Sequence, residues 1–215
     1  MARTQNTLIG RSSGSIGGVT FSTWKGINVA KSKATSVADP KTPAQLAQRA
    51  RMANAVILAK ALGELINSGF VEGATGKSAY NVFVSQNIKN GSISGDPANR
   101  ITAPATFSLS SGTLDNTILN GMVADASSNE IAITWDFAIS GNKLGTDKAA
   151  AVVMDASGNV IAKQLNVRLR EFGGIIMVAT RPMVVGETVH GYLTFYQAGS
   201  RKSDDSAYRT AVVQA

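Results

Sequence analysis

His190 is the one imidazole of the chain, so an acid–base or nucleophilic site would have to begin from it. It lies inside ETVHGYLTFYQ, alternating with Val189 and Gly191 along a predicted strand, and no G-x-S-x-G elbow accompanies it. A lone histidine so placed is expected at the surface or in a hydrogen bond. The triplet Gly76-Lys77-Ser78 resembles the end of a phosphate loop, but that motif needs a glycine where Val71 stands and a strand before it. A glycine turn opening a helix explains it better. With no cysteine and one histidine, metal binding would fall to carboxylates, which are scattered singly apart from Asp204 and Asp205. Asp155 to Asn159 reads as a hairpin turn. No catalytic residue, cofactor or metal is expected, and the chain reads as a non-enzyme.

What the residue types do offer is contact chemistry. The stretch GSIGGVTFSTWKGINVAKSK, residues 14–33, holds four glycines, one tryptophan, three lysines and no acid. Glycine permits close backbone approach or positive φ, the indole is a large flat anchor, and the lysines seek anions. Residues 1–60 carry nine Lys and Arg against Asp39 alone, a net +8, whereas residues 101–215 carry nine bases and ten acids, a net −1. Such asymmetry addresses phosphate, an anionic surface or an acidic partner subunit. The contact candidates are Arg11, Trp24, Lys25, Gly26, Lys31, Lys33, Pro43, Gln45, Gln48, Arg49 and Arg51. Three uses of the segment compete: lysine–phosphate contacts with Trp24 stacked on a base, edge strands laid against a neighbouring subunit, or a hairpin folded on its own body with Trp24 in the core.

These residues need elements to position them. At 44% hydrophobic and 16% charged, the chain can bury a core, as one domain or two small ones. No secretory signal or membrane span is expected, since the most apolar stretch, ANAVILAKALGELI, includes Lys60 and Glu64. Three parts are expected: an extended glycine-rich basic arm (1–41), a helical segment and linker (42–102), and a β domain (103–215). Thr42 is a candidate N-cap, with Pro43 at the first helical position and Gln45 completing a capping box; Asn67, Ser68 and Gly69 end that helix. Its expected stripe is Leu46, Ala50, Ala53, Ile57, Ala61 and Leu65, widened by Met52, Val56, Ala59, Leu62 and Ile66. A second helix over 77–89 puts Ala79, Tyr80, Phe83, Val84 and Asn87 on one side. NGSISGDPANRITAP, without apolar period, is read as the boundary.

About seven strands follow: TFSLS, EIAITWDFAIS, KAAAVVM, VIAKQLNVRLR, GGIIMVAT, ETVHGYLTFYQ and SAYRTAVVQ. In the second, Ile131, Ile133, Trp135, Phe137 and Ile139 alternate with smaller or polar residues over its whole length. The expected class is mainly β with an N-terminal helical segment (α+β), ending in an immunoglobulin-like or fibronectin-III-like β-sandwich.

Taken together, GSIGGVTFSTWKGINVAKSK, DPKTPAQLAQRARM, GKSAYNVFVSQN and the late GYLTFYQ with Ser206 to Tyr208 resemble an uncharacterised WKG/TPAQ-type protein family of crAss-like and related tailed phages and prophage-bearing bacteria. The resemblance covers most of the chain. It implies a virion protein of the head–tail neck, the tail or the capsid surface, assembled in the bacterial cytoplasm, with portal, neck, tail or capsid subunits as partners. Trp24, Lys25, Gly26, Pro43, Gln45, Gln48 and Arg49 are the positions that match.

The expected function is a structural subunit that self-assembles into a ring or repeated array, its basic arm and first helix contacting neighbours. The alternative is sequence-independent DNA binding through the basic N-terminal region. An adhesive module reading sugars with loop aromatics is disfavoured, because Trp135, Phe137, Tyr192, Phe195 and Tyr196 all fall in predicted strands.

Overall fold

Two tight turns set the course of the N-terminal segment. Lys25 and Gly26 both have positive φ (49° and 79°), the signature of a hairpin turn whose twist matches its strands, and Gly17 (φ 54°) turns the chain once more. The result is a four-stranded antiparallel sheet of β1 (Ala2–Thr4), β2 (Gly14–Ile16), β3 (Val19–Trp24) and β4 (Ile27–Ser32), in the order β1-β4-β3-β2. The segment is therefore a folded sheet and not an extended arm, because glycines at the turns let it satisfy its backbone against itself. The computed structural model describes residues 2–4, 13–36, 38–197, 199–200 and 202–215, giving only the backbone for 2–4 and 166–168. Arg11 lies outside the described residues.

The chain divides into two compact units, Met1–Thr42 and Pro43–Ala215. In the second, α1 starts at Pro43 as the sequence indicates, but ends at Leu62. Gly63, at φ 52°, breaks the helix, and α2 (Glu64–Gly69) resumes after it. A short 3-10 turn at Glu72–Ala74 leads to α3 (Ala79–Lys89), capped by the Ser78 hydroxyl, which accepts from the Asn81 amide at 3.2 Å. Gly76 precedes this cap at φ 71°, so Gly76-Lys77-Ser78 is a helix start after a glycine turn. There are thus three α-helices among the described residues where two were expected.

The buried stripe of α1 is Ala55, Leu58, Ala59 and Leu62, joined by Asn54. The expected pattern is right in part: Ala59, Leu62, Leu65 and Ile66 are buried, whereas Leu46, Met52 and Ile57 are exposed, because the buried face runs through Ala55, Leu58 and Leu62 and leaves Leu46 and Ile57 on the far side. On α3 the expected side is the packed one, with Phe83, Val84 and Asn87 buried and Ala79 and Tyr80 half-buried against the same core.

Seven strands build the sandwich: β5 (Leu119–Asp125), β6 (Glu130–Trp135), β7 (Lys148–Asp155), β8 (Val160–Leu169), β9 (Gly174–Val178), β10 (Thr188–Tyr196) and β11 (Ala207–Val212). They form a four-stranded sheet, β11-β10-β7-β8, and a three-stranded sheet, β5-β6-β9. The Asp155 to Asn159 hairpin turn is as expected, the Asp155 carboxylate accepting from the Ser157 and Asn159 amides at 2.9 Å each.

Two expected strands need correction. TFSLS is not a strand: the Ser108 amide donates to Asn87 Oδ1 (2.8 Å) and the Leu109 amide to Ser206 Oγ (2.9 Å), so side chains replace a ladder. The missing strand is β5, whose Leu119, Met122 and Ala124 point inward around an irregularity between Leu119 and Gly121. The alternation of EIAITWDFAIS also ends early, at Trp135. The Asp136 carboxylate accepts the Ala138 amide (3.0 Å), bending the chain away and leaving Phe137 and Ile139 exposed.

Three layers result. One core lies between the two sheets, with Ile131, Ile133, Trp135, Ala151, Val153, Leu193 and Phe195 among its members. A second lies between the other face of the four-stranded sheet and the helices, where Val152, Met154 and Tyr192 meet Leu58, Leu62, Phe70, Phe83 and Phe107. β7 is consequently covered on both faces, which is why KAAAVVM is continuously apolar rather than alternating. Ile93 and Ile101, inside the stretch read as a boundary, are buried in the second core.

Candidate functional site

In the N-terminal sheet the antiparallel register sorts the side chains into two faces, because directly opposed residues share a side. Ile16, Val19, Phe21 and Ala30 fall on one face. Trp24 with Ile27, Ser22 with Val29, and Thr20 with Lys31 form three successive rows on the other. No described side chain of this sheet is buried: Trp24 is 47% exposed and Ile16 75%. The Lys25 ammonium lies 5.2 Å from the Trp24 ring centroid, so the turn joins cation and indole. Polar pairs Ser15–Thr20 (2.9 Å) and Thr23–Asn28 (2.8 Å) clip neighbouring strands together.

Trp24, Lys25 and Gly26 are thus brought together at one hairpin, with Lys31 two rows away and Lys33 just past β4, where its amide donates to Gly18 O at 2.7 Å. Pro43, Gln45, Gln48, Arg49 and Arg51 lie on the first three turns of α1, where all five are exposed. Those turns are anchored from below: Asn54 Nδ2 donates to the carbonyls of Ser94 (2.8 Å) and Asp96 (2.9 Å). Trp24 is thus not buried by the sheet that carries it.

His190 is half-buried, its Nδ1 2.9 Å from the Tyr208 hydroxyl with the two rings stacked, and burial holds its pKa below the ordinary value. This is the hydrogen-bonded strand histidine that the sequence suggested.

A charged cluster invisible in the sequence occupies one end of the sandwich. Arg170, wholly buried, pairs with Asp147 at 3.2 Å, donates to the Thr117 hydroxyl, and lays its guanidinium 4.0 Å from the Phe195 ring centroid. Asp204, also buried, accepts from Thr194 Oγ1 (2.8 Å), the Phe195 amide (2.7 Å) and Thr117 Oγ1 (3.2 Å). Desolvation dominates over these bonds and pushes its carboxyl up to about 6. One guanidinium serves two carboxylates here, and the cluster is closest to neutral when Asp204 holds a proton. Sealed from solvent, it has no room for a substrate, and its evident work is to pin the 136–147 loop and the chain around 204 to the sheets.

The outer face of β5-β6-β9 is a second surface that sequence reasoning missed. Val123, Ala132 and Ile176 form one row across it, and Asp125, Glu130 and Val178 the next. Ile176 is 61% and Val178 66% exposed, and Phe172 and Phe137 stand exposed nearby. The three strands contain two carboxylates and no Lys or Arg. The alternation of GIIMV was legible, but a sequence does not say whether a sheet's second face is covered.

No curated protein matches the chain. Among solved structures, the adhesin domain of Epf from Streptococcus pyogenes is similar at a TM-score of 0.35 and 10% identity, covering 47% of this chain and 33% of that one. The FMN-binding beta-glucuronidase from Facaelibacterium prausnitzii L2-6 gives 0.33 and 11%, over 44% of this chain and 15% of that one. CopC from Methylosinus trichosporium OB3b gives 0.32 and 9%, over 46% and 94%. The chain therefore spans about a third of the adhesin domain and less of the glucuronidase. A family model, by contrast, matches residues 11–210, and the chain belongs to that family, DUF6266, a family of unknown function.

Proposed function

We propose that this protein is a structural, non-enzymatic virion subunit of a tailed phage that assembles with copies of itself into a ring or repeated array at the neck, tail or capsid surface. The observation that carries the assembly reading is the N-terminal sheet. Its four strands hold Trp24, Ile27, Val19 and Ile16 exposed, although a small sheet needs a covered face to be stable. A partner supplies that cover. The exposed first turns of α1, with Leu46 and Met52 beside Arg49 and Arg51, extend the same character into the second unit. The phage assignment rests on the WKG and TPAQ signatures, and portal, neck, tail or capsid subunits are the partners it implies.

We further infer a fibronectin-III-like sandwich, a reading supported by the strand order, in which the first, second and fifth strands face the seventh, sixth, third and fourth. Such a body is a rigid carrier for contact surfaces.

Light scattering on the purified full chain at low and high salt, followed by negative-stain imaging, tests the reading. A discrete closed oligomer is expected, and removal of residues 1–41 should abolish it. A monomer at every salt and concentration would overturn it.

DNA binding is kept as a second reading by the Trp24–Lys25 pair, which offers a stacking plane beside a cation. It requires affinity that falls steeply with salt and weakens when Lys25, Lys31 and Lys33 are neutralised.

A further inference from the structure

The assembly reading leaves open what the N-terminal sheet docks on, and the outer face of β5-β6-β9 carries features that answer it. We infer that this face is the receptor for the N-terminal sheet of a second copy, giving a head-to-tail contact; the inference rests on the assembly reading.

The first observation is an open strand edge. The Trp135 amide donates to Gly173 O (2.9 Å) and the Ala179 amide to Asn129 O (3.0 Å), which fixes the ladder's phase: Ile175 and Met177 bond to β6, while Gly174, Ile176 and Val178 turn their backbone groups the other way. Among the described residues β9 ladders with β6 alone, and only past its end does the same edge meet another strand, where the Thr180 amide donates to Ile161 O of β8 at 2.7 Å. Natural edges are blunted by lysine, proline or a bulge, and β9, reading GIIMV, carries none of these. An exposed apolar edge of this kind is a contact surface or an aggregation hazard.

The second observation is complementarity. On the donor, residues 13–36 contain three lysines and no acid; on the receptor, the three strands contain Asp125 and Glu130 and no base. Acidic and basic rows also fall at matching intervals. Rows two residues apart along a strand are separated by ~6.6 Å. From the Trp24–Ile27 row, the Val29 row lies one interval on and the Lys31 row two intervals on. From the row of Gly121, Thr134 and Gly174, the Val123–Ala132–Ile176 row lies one interval on and the Asp125–Glu130–Val178 row two. Superposing the two series puts the Lys31 row over the Asp125–Glu130–Val178 row, the Val29 row over the Val123–Ala132–Ile176 row, and the Trp24–Ile27 row over the row of Gly174.

The third observation is that Gly174 sits in a depression. A cavity of about 410 Å³, lined by Thr134, Phe172, Gly174 and Ile176 among others, opens at the row where the alignment places the indole. It is wide enough for an indole, and Phe172 offers an aromatic wall. Two twisted sheets packed with their strands nearly aligned have this geometry. Donor and receptor patches differ, so the contact is heterologous and repeats from copy to copy, closing as a ring or running on as an array.

Full-length variants test it. Donor-defective protein carries Trp24→Ser with Val29→Asp, and receptor-defective protein carries Ile176→Asp with Val178→Asp; all four positions are at or near the surface, so folding, checked by circular dichroism, is kept. Each variant alone is expected to associate about tenfold or more weakly than wild type, and to run as a monomer by light scattering. Mixed, they are expected to form a one-to-one dimer, since the mixture still holds one intact donor and one intact receptor. A Lys31→Glu change should weaken assembly, and Glu130→Lys should restore it. If the donor variant fails to assemble while the receptor variant assembles like wild type, this inference is overturned and the assembly reading stands. Two monomeric variants that stay monomeric when mixed would also overturn it, in favour of a contact between like surfaces. A donor variant that assembles normally would overturn both.

Discussion

The N-terminal sheet and strand β7 are both β structure rich in small and apolar residues, yet one is covered on neither face and the other on both. β7 lies between β8 and β10, with a second sheet on one side and three helices on the other. The N-terminal sheet satisfies its hydrogen bonds through turns while Trp24 and Ile16 stay 47% and 75% exposed. Backbone pairing and side-chain burial are thus separable, which is the observation the proposed assembly rests on.

The contrast can be broken most strongly at the buried end. Replacing Arg170 by Met leaves Asp147 as an unpaired buried carboxylate, and should cost ~3–5 kcal/mol in denaturant unfolding. The Trp24→Ser change, at an exposed site, should shift unfolding of the body by less than ~0.5 kcal/mol while removing self-association. Equal losses of stability from the two changes would erase the distinction between the regions.

Acidity offers the next largest effect. Asp204 titrates at about 6 in the fold against an ordinary 3.8, so the folded state holds an extra proton between these values. Its contribution to stability is full below about pH 4 and is lost as the pH rises through about 6, by up to ~3 kcal/mol. Asp204→Asn keeps the oxygen that accepts from Thr194 and the Phe195 amide, and should flatten this pH dependence relative to wild type. Parallel curves for the two proteins would sink the assignment.

A smaller effect tests the helix break. Gly63 sits at φ 52° and ψ −115°, a conformation essentially reserved for glycine, with only the Lys60 carbonyl oxygen within 4 Å of a would-be Cβ, so Gly63→Ala is expected to cost ~2 kcal/mol through the backbone alone. A loss of several kcal/mol would mean that the α1–α2 corner bears packing which the open space around Gly63 does not reveal.

Several elements were legible in the residues. Pro43 after Thr42 starts α1, Ser78 caps α3, Asp155 and Gly158 make the β7–β8 turn, and strict alternation marks β6 up to Trp135. Local chemistry suffices there, since each signal is satisfied within a few residues of itself. TFSLS misled because Phe107 and Leu109 are buried like strand residues while their neighbours bond to Asn87 and Ser206, which are distant in sequence. Leu46 and Ile57 misled because helical periodicity groups apolar residues into faces without saying which face is covered.

Residue types and spacing alone carried the basic front, the charge on the first turns of α1 and the β-rich character of the second half, because charge and period are properties of short stretches. Only the tertiary structure decided that Arg170, Asp147, Thr117 and Asp204 meet, that residues 14–32 fold back as a sheet, and that β9 ladders with β6 on one side only. Those outcomes depend on which residues apart in the chain come within contact distance, and on which strand edges pair.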